Sequence, residues 1–241
     1  MLVGFCISLV VVKMTIDFYY TPSSPPCRAV MMAARALDLE LNFKIVDLTK
    51  KEHLRPSYLR ICPMHTVPTI VDNTDQNCVV TINESRAIMC YFADKYGLDK
   101  HEYLYPLNLE RRAVVNQRLY FDLGTLYQRF SDLYYPVILW GEKSLNPDKK
   151  KKLEEAFGFF DKYLEGSPPW AAGRTITVAD FSMAATVSTA VACGFDLNID
   201  NYFYVHKWFD LVTTAIKDYD KINKPGTESF QEKARKAKLI S

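Results

Sequence analysis

Residues 16–48, IDFYYTPSSPPCRAVMMAARALDLELNFKIVDL, decide the fold. Ile16, Phe18 and Tyr20 recur at every second position, the period of a strand. From Ala29 to Leu39 apolar side chains run all round, with Val30, Met31, Met32, Ala33 and Leu37, which predicts a buried helix. Asn42 to Leu48 then reads as a second strand. Strand, helix and strand over roughly 30 residues make a βαβ unit with a right-handed crossover. The turn Thr21-Pro22-Ser23-Ser24-Pro25-Pro26-Cys27-Arg28 falls where the first strand feeds the first helix. Backbone N–H groups and the positive end of the helix dipole face outward at such a point, ready for an anion. The chemistry is expected there.

The rest of the chain narrows the class. At 241 residues it allows one large domain or two modest ones, and 49% apolar with 24% charged residues is ordinary for a globular protein. A net charge of +2 gives no general pull toward nucleic acid or membrane. The six cysteines, at 6, 27, 62, 78, 90 and 193, contain no C-x-x-C pair and no regular spacing. That argues against a metal site or a disulfide scaffold and for reduced thiols packed as small hydrophobes. Residues 1–13, MLVGFCISLVVVK, are too short an apolar run to span a bilayer. Their start has no basic residue, and Lys13-Met14 is unlike a signal-cleavage site. The domain is expected to begin at Met14, and the protein to be cytoplasmic.

Thr49 to Pro63 is polar and reads as a loop with a short helix. Val67, Thr69 and Val71 alternate as a strand, yet Pro68 lies among them and marks an edge, a strand start or a special turn. Asn73 to Asn77 is a turn cluster before a further strand over Cys78 to Ile82, which together predict an antiparallel hairpin. Glu84-Ser85-Arg86 opens a helix to about Tyr96, closed by Gly97. Residues 14–97 thus read β-α-β-α-β-β-α, and 98–109, with Pro106, reads as a linker. From 110 to 241 the pattern is all helical. A long helix covers Arg111 to Tyr134, an amphipathic one Asp148 to Leu164, and Pro168-Pro169 breaks the chain. Thr177 and Asp180 have capping-box spacing at the head of an apolar helix that runs to about Cys193. Tyr204 to Ile216 predicts one more helix, before a polar, basic tail from Pro225.

Six segments resemble the cytosolic glutathione transferases, in particular the insect delta class and the related epsilon class. They are FYYTPSSPPCRAV, KKEHLRPSYL, CPMHTVPTIVD, ESRAI, RAVVNQRLYFDLGTLYQRF and ITVADFS, in family order from Thr15 to about Phe230. The resemblance implies a thioredoxin-like domain followed by a helical one that contributes a hydrophobic substrate pocket. It implies an enzyme that conjugates glutathione, its co-substrate, to hydrophobic electrophiles in detoxification of xenobiotics, as a homodimer and without a metal.

By the same resemblance Ser24 is the catalytic residue, its hydroxyl stabilising the glutathione thiolate. Serine is also a preferred helix N-cap, and Ser23 is the neighbouring rival. Pro68 matches a cis-proline that turns the Val67 backbone toward the cysteinyl part of the ligand. Glu84 and Ser85 match the γ-glutamyl anchor, and His53 and His65 the side that holds the glycine carboxylate. Arg86 binds ligand or bridges the dimer. Pro26, Leu48, Tyr127, Phe130, Tyr135 and Ile138 match positions that line the hydrophobic pocket. Arg118 and Asp122 are expected to share a buried polar network, and Cys27 to be a packing residue rather than a redox nucleophile. The sequence departs from the delta pattern at Thr21, at Asn83 and in the longer hairpin turn of 73–77. Three other functions compete. They are a binding protein for hydrophobic ligands with little or no catalysis, an interaction module, and a thiol transferase acting through Cys27.

Overall fold

The computed structural model describes residues 15–75, 77–166 and 169–240. The apolar extension 1–13, the expected start at Met14, Gln76 in the hairpin turn and Pro168 in the chain break lie outside the described residues. Strands β1 (Ile16–Tyr20), β2 (Leu41–Ile45), β3 (Thr69–Asp72) and β4 (Val80–Asn83) form one sheet in the order β2-β1-β3-β4. β1 runs parallel to β2 and antiparallel to β3, as a βαβ unit followed by a hairpin requires. Helices α1 (Pro25–Ala36) and α3 (Ser85–Tyr96) pack together in this layer, and a single turn, α2 (Pro56–Leu59), lies between β2 and β3. This is the thioredoxin-like arrangement that the resemblance implies.

Pro68 does not sit on a sheet edge. It immediately precedes β3, which is flanked by β1 and β4, and the Val67–Pro68 peptide is cis. A residue without an N–H is tolerated there because it stands ahead of the first ladder position.

The second layer holds α4 (Leu109–Phe121), α5 (Tyr127–Ile138), α6 (Pro147–Leu164), α7 (Val178–Ala192), α8 (Phe203–Ala215) and α9 (Tyr219–Lys236). The expected long helix of 111–134 is α4 and α5 joined by one π-helical turn, Asp122–Leu126, a local widening common at functional sites. α7 is apolar nearly all round and is buried from Val178 to Ala190, the place a helix without a polar face must occupy. Its head carries the capping box of Thr177 and Asp180, and Asp180 also accepts from the Ala171 amide (2.8 Å) and the Trp208 indole (2.9 Å).

The basic tail is in fact helix α9, which continues through Pro225. Tyr219, Asn223, Gly226, Phe230 and Ala234 are its buried residues, spaced three or four apart, so tertiary packing outweighs the proline. The layers meet through Arg28 of α1. Its guanidinium is fully buried, donates to Thr189 of α7 (2.5 Å) and to Asn223 of α9, and has no acidic partner among the described residues. A Cβ at Gly226 would stand 2.5 Å from Arg28 Nε, so glycine is what lets α9 approach.

Asp72, at the end of β3, is fully buried and accepts from Thr74, Tyr91, Tyr96 and Lys95 at 2.5–2.9 Å. Burial would raise its pKa, but hydrogen bonds from Thr74, Tyr96 and Lys95 outweigh it and hold the carboxyl well below its ordinary value. A carboxyl with a depressed folded pKa contributes stability that is complete above its unfolded pKa of about 3.9 and is lost as pH falls through the folded one. Asp72→Asn should therefore cost roughly 3 kcal/mol of folding free energy at neutral pH. In urea unfolding the gap to the parent protein should narrow below about pH 4. A gap independent of pH would contradict this reading.

Candidate functional site

A cleft of about 550 Å³ opens where the sheet layer faces α5 and α9. One wall is the turn ahead of α1, with Thr21, Ser23, Ser24, Pro25 and Pro26. Asp47, Leu48, Thr49 and His53 follow from the segment after β2, and His65, Thr66 and Val67 from the approach to β3. The opposite wall is Tyr127, Tyr135, Leu139 and Trp140 of α5 and its C-terminal end, with Phe230 and Lys233 of α9.

Ser24 is the N-cap of α1, and its Oγ accepts from the Cys27 amide at 3.4 Å. The first two helical residues, Pro25 and Pro26, have no N–H, and the Arg28 amide already donates to the Ser24 carbonyl (3.1 Å). The expected row of free N–H groups is therefore absent from this helix start. What remains for a ligand is the Ser24 hydroxyl proton, in the field of the helix dipole. Ser24 is a cap through its oxygen and a donor through its hydrogen, and one role does not exclude the other.

His53 sits on a 3-10 turn (Glu52–Leu54) anchored by the Asp47 amide, which donates to Glu52 Oε2 at 2.9 Å. His53 Nδ1 is buried without a hydrogen-bond partner, and the His65 ring lies 6.2 Å away, centroid to centroid. Asp47 accepts from the Thr49 hydroxyl and amide and from the Lys50 amide, and the Thr49 hydroxyl first among them lowers its pKa to about 2.

Of the sequence-derived candidates, Ser24, Pro26, Leu48, His53, His65, Val67, Tyr127 and Tyr135 share the cleft. Pro68, Glu84, Ser85, Arg86, Phe130 and Ile138 are not among its walls. Glu84 precedes α3 with φ of 73°, a left-handed conformation that costs a non-glycine residue energy, and its side chain caps nothing. Arg86 turns inward to Asp122 (2.6 Å), which also accepts from Ser182 (2.5 Å) and Thr186 (2.9 Å) of α7. Arg118 does not join that network. It donates to the Ala171 carbonyl (2.9 Å) and lies over the Tyr163 ring at 3.9 Å. Phe130 is fully buried behind the cleft, 5.5 Å from the Tyr135 ring, and Ile138 packs on the core.

The Tyr127 and Tyr135 hydroxyls share a hydrogen bond of 2.9 Å, and burial raises the pKa of both. Tyr135 stacks on Phe230 at 6.0 Å. Leu139, Trp140, Phe230 and Lys233 escaped the sequence reading. The first two follow the end of a helical pattern, and the last two lie in the polar, basic stretch after Pro225. The spacing Tyr219–Asn223–Gly226–Phe230 was the available signal. Among the described residues no group of three or more His, Cys, Asp or Glu is placed to hold a metal ion, and no helix is long and apolar enough to cross a membrane.

The chain matches the family models described as glutathione S-transferase, N-terminal domain, over residues 18–100 and glutathione S-transferase, C-terminal domain, over 137–222. A delta-class glutathione transferase of Nilaparvata lugens is 44% identical, with a TM-score of 0.85 over 92% of this chain and 99% of that one. A glutathione transferase homologue of Drosophila mojavensis, solved with bound glutathione, is 29% identical, with a TM-score of 0.84 over 92% and 97%. A diazinon-metabolizing glutathione S-transferase of the silkworm Bombyx mori is 28% identical, with a TM-score of 0.79 over 90% and 100%.

Cys27, three residues past Ser24, is fully buried, and burial pushes its thiol up to about 11 despite the Ser24 hydrogen bond. Its thiol is therefore protonated and shielded where a redox nucleophile would need to be ionised and open. Iodoacetamide at about pH 8 should alkylate the exposed Cys78 and leave Cys27 unmodified in the folded protein, as read by peptide mass spectrometry. Fast labelling of Cys27 would contradict the packing role.

Proposed function

The chain belongs to the glutathione S-transferase family, and from that premise we propose that it conjugates glutathione to hydrophobic electrophiles, with Ser24 as the catalytic residue. The observation that carries this reading is the helix start. Two prolines and two internal hydrogen bonds leave the Ser24 hydroxyl as the donor that α1 offers the cleft. Donated to the glutathione sulfur, that proton favours the thiolate over the thiol, and the helix dipole adds to the effect. The thiol proton passes to solvent. The thiolate sulfur then forms a bond to the electrophilic carbon, and on an aryl halide the carbon–halogen bond breaks with the electron pair leaving on halide.

The rest of glutathione runs along the cleft and past its edge to the start of α3. The Val67 backbone beside cis Pro68 pairs with the cysteinyl unit, as an extended peptide pairs with a strand. His53 and His65 take the glycine carboxylate, a role supported by their place on one wall of the cleft, with ring centroids 6.2 Å apart. Glu84 and Ser85 take the γ-glutamyl end, where the uncapped start of α3 offers amides to its carboxylate. Arg86 acts indirectly, fixing that helix start to Asp122. Tyr127, Tyr135, Leu48 and Pro26 shape the space for the electrophile. The bound glutathione of one relative and the diazinon metabolism of another agree with this assignment and with a detoxification role. A homodimer through α3 and α4 is part of the proposal, supported by the apolar surface that Val114, Tyr120 and Leu123 leave exposed.

Ser24→Ala should lower kcat/KM for a chlorodinitrobenzene by about 10- to 1000-fold, by analogy with the loss of one oxyanion donor, while Ser23→Ala has the smaller effect. Equal activity of Ser24→Ala and the parent protein would overturn the assignment of Ser24. Sedimentation should show a dimer that Tyr120→Glu weakens, and a monomer at all concentrations would contradict the dimer.

A further inference from the structure

Lys233 is a lysine set into an aromatic wall. It lines the cleft on α9 beside Phe230, opposite the Ser24 turn, and shares that wall with Tyr127, Tyr135 and Trp140. Its ammonium lies 5.2 Å from the Phe230 ring centroid and makes no ion pair or hydrogen bond to an acid among the described residues. The neighbouring Glu232 is bound to Lys236 at 2.7 Å. Asp47, the carboxylate that lines the same cleft, is held by Thr49 and Lys50 on the far wall. Burial lowers the pKa of Lys233 and outweighs the more distant attraction of Glu232, the direction expected for an ammonium half-removed from water without an ion pair.

A half-buried cation among aromatic rings is costly unless something pairs with it, and among the described residues no carboxylate touches it. We propose that Lys233 makes this chain select electrophiles that carry a carboxylate, or another anion on an aromatic or conjugated skeleton, over uncharged ones of the same shape. The rings of Tyr127, Tyr135 and Phe230 would cover the skeleton while the ammonium pairs with the anion. This rests on the conjugating role proposed above and names the substrate class for it. A charge-assisted pair in a partly dry site is worth enough to change relative rates by about tenfold.

The test compares a chlorodinitrobenzene with the matching chlorodinitrobenzoate, which share one displacement reaction and differ by a carboxylate. In the parent protein the ratio of kcat/KM, benzoate over neutral, should fall as salt rises, because the contact is partly exposed. Lys233→Met should lower that ratio about tenfold, chiefly through KM for the benzoate, and Lys233→Arg should restore most of it. Because both substrates are read on one preparation, partial unfolding of a variant cancels in the ratio. A ratio unchanged in Lys233→Met would overturn the inference, as would an equal rise in KM for glutathione with both electrophiles, which would make Lys233 a glutathione contact. Absence of conjugation of either substrate by the parent protein would instead refute the conjugating role itself.

Discussion

A buried guanidinium with no carboxylate to neutralise it among the described residues ties the two layers together. Arg28 lies in the second turn of α1, and its donors reach Thr189 on α7 and Asn223 on α9, under a helix that only Gly226 allows so close. Burial lowers its pKa to about 10, so the charge is retained at neutral pH. One side chain thereby fixes where α1 begins relative to α9. The N-cap of the one and side chains of the other stand on opposite walls of the cleft. Removing water from such a cation is expensive, and its amide and hydroxyl partners offset only part of that cost. The arrangement makes sense as a positional device rather than as a source of stability.

A second tie runs between the same layers through Arg86 and Asp122, with Ser182 and Thr186 of α7 supplying the remaining hydrogen bonds. It anchors the start of α3 as Arg28 anchors α1. Both helix starts that face glutathione in the proposed complex are thus fastened to α7, the most buried helix of the chain. The polar residues of α7 that look misplaced in an apolar run are its attachment points. That explains why they tolerate burial: each has a partner waiting.

The fold was legible wherever periodicity was uninterrupted. β1, α1, the hairpin, α3 and the capping box of α7 could be read from strand and helix spacing and from turn residues. Prolines were the hardest residues to place. Pro68 left an edge, a strand start or a special turn open and stands just ahead of a central strand, while Pro225 suggested a tail and lies inside a helix. Local chemistry cannot reveal either, because in both cases distant packing decides. The same holds for the site. Ser24, Val67 and the two histidines lie in motifs that sequence can show, whereas Phe230 and Lys233 reach the cleft only because α9 folds back over α1. Nor could sequence reveal that Arg86 is bound to Asp122, since that partner is 36 residues further on.

The prolines after Ser24 sharpen the chemistry more than any other feature. By removing two amides from the helix start they convert a general anion site into one with a single mobile donor, suited to one sulfur atom. The direct test is the ultraviolet titration of the thiolate in the complex with glutathione, in the parent protein and in Ser24→Ala. The bound-thiol pKa should lie well below the free value of about 8.5 in the parent protein and return toward that value in the variant. The same depressed pKa in both proteins would contradict the role given to Ser24.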